Sequence, residues 1–145
     1  MNEDLMLKID TYNKGINSGD IKLKMRFITS TTEMKMYNLR TEFNGNINDY
    51  SAIELNVNKV VRLLEHDGET RYPLGKLIVD CYTIGVIELI ERCEKIIPPE
   101  IRYISPGLWK VIDGQHRISL MRCLKLQSAP FLLRKNNLCF CKEPM

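Results

Sequence analysis

The chain has 145 residues, of which 44% are hydrophobic, and 21 Lys and Arg stand against 18 Asp and Glu for a formal charge of +3. That length suits one domain with one core, and a mean hydropathy of -0.21 with no window approaching the length of a membrane span points to a soluble globular protein. The small positive charge does not by itself indicate a nucleic-acid partner, and Asp4 and Asp10 interrupt any apolar run of the signal-peptide kind, so the expected location is cytoplasmic.

In chain order, Met1 to Asp20 is polar and closes on Gly15, Asn17, Ser18 and Gly19, which reads as a short helix or loose arm and then a turn. Ile21 to Phe27 alternates strictly, the period of a strand with one buried face. With Thr29 to Thr32 as a turn and Met34 and Met36 continuing the alternation, the expectation is an N-terminal β-hairpin. Lys22, Lys24 and Arg26 then stand in a row on its outer face, where they can meet nucleic-acid phosphates or simply keep a sheet edge solvated.

Asn44 to Tyr50 reads as a loop, Ile53 to Val57 as a strand, and Val60 to Leu64 as a short helix or turn. Glu65 to Arg71 lacks either rhythm and reads as a surface loop, with His66, Asp67 and Glu69 more readily a solvated turn than a metal cluster. Pro73 opens a helical segment that Gly85 interrupts, a second helical stretch runs from Val86 to Ile96, and Pro98-Pro99 stops it. The apolar runs Ile101 to Ile104 and Trp109 to Ile112, joined by Ser105-Pro106-Gly107, should pair antiparallel. Asp113-Gly114 is a turn dipeptide, a helix runs from about Arg117 to Lys125, and Pro130 to Leu133 returns as a strand. Asn136 to Met145 holds no clear element. The five cysteines, Cys81, Cys93, Cys123, Cys139 and Cys141, show no paired metal-ligand spacing, so reduced and mostly buried thiols are expected and no metal site.

These elements make an α+β chain: residues 1–50 form an arm and hairpin extension, 51–135 the core, and 136–145 a tail, all in a single compact domain. The chemistry concentrates at Asp113-Gly114-Gln115-His116-Arg117, where a strand delivers a glycine turn to a helix start. Helix N-termini present unpaired N–H groups and the positive end of the macrodipole, so His and Arg beside such a turn suit an anion, most often a phosphate. Arg117 offers a rigid fork for a phosphate or carboxylate, or else a salt bridge to Asp113 that staples the turn. His116 can donate to the same anion, act as an acid or base near neutral pH, or be a structural histidine. Asp113 either caps the helix or orients Arg117.

This stretch resembles the Asp-Gly-x-His-Arg signature of the ParB/sulfiredoxin superfamily, with Pro99 to Ile104 resembling the preceding strand and Ala129 to Leu133 the following one. The match covers about residues 97 to 133; upstream it is one of element order. The resemblance implies a small mixed sheet with flanking helices and a loop that binds the phosphates of ATP or CTP through Gly114, Gln115, His116, Arg117 and Ser119. It also implies hydrolysis, phosphotransfer or nuclease chemistry with Asp113, His116 and Arg117 as catalytic groups. Mg²⁺ would then be needed, with Asp113 or the Asp67 and Glu69 loop as ligands. Gln115 stands where the sulfiredoxin branch carries its catalytic cysteine, which excludes sulfinic acid reduction. No helix-turn-helix region follows, so a free-standing domain of phage, plasmid or DNA-modification systems is expected rather than a whole partition protein. The alternative is a non-catalytic regulator that uses the same scaffold to bind DNA, a protein partner or a second copy of itself.

Overall fold

The computed structural model describes residues 3–36, 47–64 and 81–145. Helix α1 (Glu3–Ser18) carries Glu3 and Asp4 in its first turn, where the helix dipole favours negative charge. Leu5, Ile9, Tyr12 and Ile16 recur at helical spacing and pack on the core. Gly15 lets the chain fold back, because a Cβ there would lie 2.3 Å from Ile21 Cδ1.

The expected N-terminal hairpin is not formed. Residues 21–28 do alternate, with Met25 and Ile28 buried and Lys22, Lys24 and Arg26 exposed, but the segment is extended without a ladder. Its one bridge is Phe27 beside Ile96, in parallel, with Ile96 N–H donating to Arg26 O at 2.8 Å and Ile28 N–H to Ile96 O at 2.9 Å. Met34 and Met36, expected on the second strand, lie in helix α2 (Thr31–Met36). Ser30 caps this helix, its Oγ accepting from Glu33 N–H at 3.1 Å, while the Glu33 carboxylate turns to Lys95.

Strand β1 (Tyr50–Asn56) leads directly into α3 (Val57–Leu63), whose first turn is capped by Asn56 Oδ1 accepting from Lys59 N–H. The loop expected at Glu65–Arg71 and the helix start at Pro73 lie outside the described residues. Helix α4 (Cys81–Glu91) runs through Gly85 without a break, because Ile84, Ile87 and Ile90 bury one continuous face. It ends seven residues ahead of Pro98, not at the prolines. Cys93 takes a φ of 60°, Glu94 N–H reaches back to Leu89 O and Cys93 N–H to Ile90 O, a Schellman closure made without glycine.

Strands β2 (Glu100–Ser105) and β3 (Leu108–Asp113) pair antiparallel as expected, and α5 (Gln115–Cys123) carries the chain to β4 (Ser128–Arg134). Strand β4 pairs antiparallel with β1 and parallel with β2, so the order is β1-β4-β2-β3 in a mixed four-stranded sheet of an α+β fold. Alternation along β4 buries Phe131 and Leu133 in the main core, among side chains of α3, α4 and α5, while Leu132 lies in a second cluster with Ile28, Met34 and Tyr50. The sheet is therefore covered on both faces, the second in part by Ile28 and Met34.

The last residues, expected to be featureless, are structured. Lys135–Phe140 is a 3-10 turn, Phe140 stacks on Tyr103 at 3.7 Å, and Glu143 accepts from Trp109 Nε1 at 2.9 Å and Gly107 N–H at 3.1 Å. Cys123 and Cys141 are buried and Cys93 and Cys139 exposed, none of the four in a disulfide, so the expected burial of thiols holds for two of them. Among the described residues no helix is long and apolar enough to cross a membrane.

Candidate functional site

Strand β3 ends at Asp113, and Gly114 turns the chain into α5 with φ 105° and ψ 27°. A glycine is needed here twice over. The left-handed φ disfavours any Cβ, and one built there would lie 2.6 Å from Pro99 Cβ and 2.9 Å from Arg117 Nη2. The close neighbours of this glycine thus include the chain's own proline.

Arg117, a candidate both for catalysis and for phosphate binding, is turned inward. Its Nη2 pairs with Asp113 Oδ2 at 3.2 Å, and its Nη1 donates to the carbonyls of Ile97 and, at 3.5 Å, Pro98, with only 16% of the side chain exposed. Of the two roles left open for this guanidinium, the geometry supplies the staple and extends it: the fork ties the end of β3 and the start of α5 to the linker ahead of β2. Asp113 orients Arg117 and does not cap α5, whose cap residue is Gly114 with no side-chain bond.

His116 stacks on Tyr82 of α4, the ring centroids 5.0 Å apart and the planes 17° from parallel. Beside this pair a cleft of about 730 Å³ opens between α4, the linker and the start of α5. Asp113, Gly114, Gln115, His116 and Arg117 all line it, so the structure brings the expected turn residues together on one cavity. Ser119 is not part of this group: it is 6% exposed, packed within the fold along α5. Lys22, Lys24 and Arg26 do not line the cleft either.

Two cleft residues were not anticipated from sequence. Glu100 is only 4% exposed and stands directly opposite Asp113 across the β2–β3 ladder. Burial pushes its carboxyl above the usual carboxylate range, with Asp113 adding to that, while its partner Arg102 at 3.3 Å and the charge of Arg134 pull the other way. No local signal marks Glu100, because a charged residue opening a strand is ordinarily exposed. Lys95 also lines the cleft, and its ammonium bonds to Glu33 of α2 at 3.1 Å.

Among the described residues no group of three His, Cys, Asp or Glu is placed to hold a metal ion. Glu100 and Asp113 are each already paired with an arginine, a donor set that suits a metal poorly. His66, Asp67 and Glu69 lie outside the described residues. No family model and no curated protein matches the chain.

Proposed function

We propose that the chain is a nucleotide-binding domain of the ParB/sulfiredoxin type, with the phosphates seated at the start of α5. The observation that carries this reading is the convergence of Gly114, Gln115 and His116, at a helix start with no side-chain cap, on a cleft large enough for an organic ligand. Backbone N–H groups and the positive end of the α5 dipole attract a phosphate, His116 donates to it, and Lys95, paired with Glu33, adds positive charge to the cleft wall. Arg117 and Asp113 hold the turn in shape rather than gripping the ligand. Hydrolysis or phosphoryl transfer at this seat would use His116 as the group that gives or takes a proton. Mg²⁺, where such chemistry required it, would arrive with the nucleotide. A cytoplasmic setting among phage, plasmid or DNA-modification systems belongs to the same proposal.

Thermal unfolding with ATP, CTP or tripolyphosphate at millimolar concentration tests it. A ligand at 100-fold excess over its Kd adds about 2.7 kcal/mol of stability, which should raise the Tm by roughly 5–10 °C. His116→Ala should reduce that rise. No rise with any of the three would overturn the reading in favour of the non-catalytic regulator that binds a macromolecule or a second copy of the chain.

A specific observation supports nucleic acid as the phosphate source. Lys22, Lys24 and Arg26 are exposed along one edge of the extended segment, and the bridge from Phe27 leads to Ile96 in the cleft wall. Changing all three to Gln should weaken binding to a DNA duplex and lower the salt slope by up to about 3, in titrations at several salt concentrations. Unchanged binding would remove this edge from the reading.

A further inference from the structure

Helix α4 is apolar on two faces. Ile84, Ile87 and Ile90 are buried in the core, whereas Tyr82, Val86 and Leu89, spaced four and then three residues apart, form a second stripe that lines the cleft. Tyr82 is 50% exposed at the end of that stripe and lies nearly parallel to His116. A phosphate gains nothing from such a wall, since apolar side chains offer an anion no hydrogen bond and displace its water. The cleft, at about 730 Å³, falls in the size range of sites for organic ligands, typically 300–1,000 Å³. Val111 of β3 and Leu132 of β4 add to the apolar lining.

We propose that the stacked Tyr82–His116 pair is a platform for the flat ring of a nucleobase, so that the cleft takes a whole nucleotide and not phosphate alone. This rests on the reading of the α5 start as the phosphate seat and adds the other half of the ligand. The ring stacks on the aromatic pair, the Val86 and Leu89 side chains cover its edge, and His116 joins the two halves, one face of its ring against Tyr82 and its backbone in the phosphate-binding turn. Stacking of this kind tolerates any base, because each has a π face.

Calorimetric titration of the intact chain with ATP, CTP, tripolyphosphate, adenosine and cytidine tests the proposal, with Tyr82→Ala and Tyr82→Phe as variants. The expected result is that a nucleotide binds at least about 10-fold more tightly than tripolyphosphate. Tyr82→Ala should erase about a 10-fold factor for the nucleotide and leave tripolyphosphate unchanged, and Tyr82→Phe should behave as the parent. Tyr82 is half exposed, so the alanine variant should keep its fold, and a melting curve without ligand checks this. Equal affinity for nucleotide and tripolyphosphate, insensitive to Tyr82→Ala, overturns the platform and leaves the phosphate seat standing. Tyr82-dependent binding of a nucleoside without binding of tripolyphosphate supports the platform and overturns the seat. Binding of none of the five overturns both.

Discussion

The α5 turn and the N-terminal segment hold the same stretch of chain, residues 91–99, in different ways. The turn holds it through half-buried groups that leave little slack: Gly114 lies against Pro99, and the Arg117 fork reaches the carbonyls of Ile97 and Pro98. The N-terminal segment holds it through a single backbone bridge at Ile96 and through side chains at the surface, Glu33 with Lys95 and the Tyr12 hydroxyl donating to Glu91. Interactions of the first kind cost the full desolvation of whatever they leave unpaired, whereas solvent replaces most of the second. The turn that lines the cleft is therefore also a structural joint, and the N-terminal segment is an outer layer packed on the core.

The comparison can be broken most directly at Gly114. Gly114→Ala should destabilise the fold by about 3 kcal/mol or more, combining the strain of a left-handed φ with the overlap on Pro99, as read by urea denaturation. A loss under about 1 kcal/mol would mean that the linker and turn can separate, and the joint would not be one. Next in size is Arg117→Ala, expected to cost about 2–3 kcal/mol in the same measurement without any ligand, because Asp113 loses its partner and two carbonyls lose a donor. Arg117→Lys should recover little of this, since an ammonium cannot span three acceptors in one plane. An Arg117→Ala variant that kept its stability but lost nucleotide affinity would return the fork to the ligand.

On the N-terminal side the effect should be smaller and dependent on pH. The hydrogen bond to Glu91, with burial and the nearby carboxylates, pushes the Tyr12 hydroxyl up from 10.0 to about 12. A raised pKa in the folded chain means that this contribution is complete below pH 10 and is lost as pH rises from 10 through about 12. Tyr12→Phe should lower stability by under about 1 kcal/mol at neutral pH and flatten the decline over that alkaline window, followed by thermal melts in steps of pH. A parent and variant with the same alkaline profile would show that the contact between α1 and α4 does not depend on this bond.

Much of the joint could be read locally. Asp113-Gly114 announces a turn, Ser105-Pro106-Gly107 announces the hairpin between β2 and β3, and the apolar runs on either side have the right length, because turn chemistry and alternation are set by adjacent residues. The pairing of Arg117 with Asp113 could also be written down in advance, as a staple, from their spacing of four. The Ser30 cap was equally visible, but the alternation of Met34 and Met36 spoke for a strand and concealed it. The ends of α4 and α5 carried no glycine to mark them, since Cys93 and Lys125 take the positive φ instead.

By itself the sequence determined the hairpin, the glycine turn, the helix that follows it and the returning strand, each of which depends on contacts within a few residues. Tertiary structure alone decided that residues 21–28 would run beside Ile96 instead of forming a hairpin. It also decided that Arg117 would be spent on the carbonyls of Ile97 and Pro98, and that Glu100 would be buried opposite Asp113. The physical reason is common to all three: alternation shows that a segment has one dry face, and a side chain shows what it can bond. Which surface and which partner they meet depends on chain far away, whose position no local pattern records.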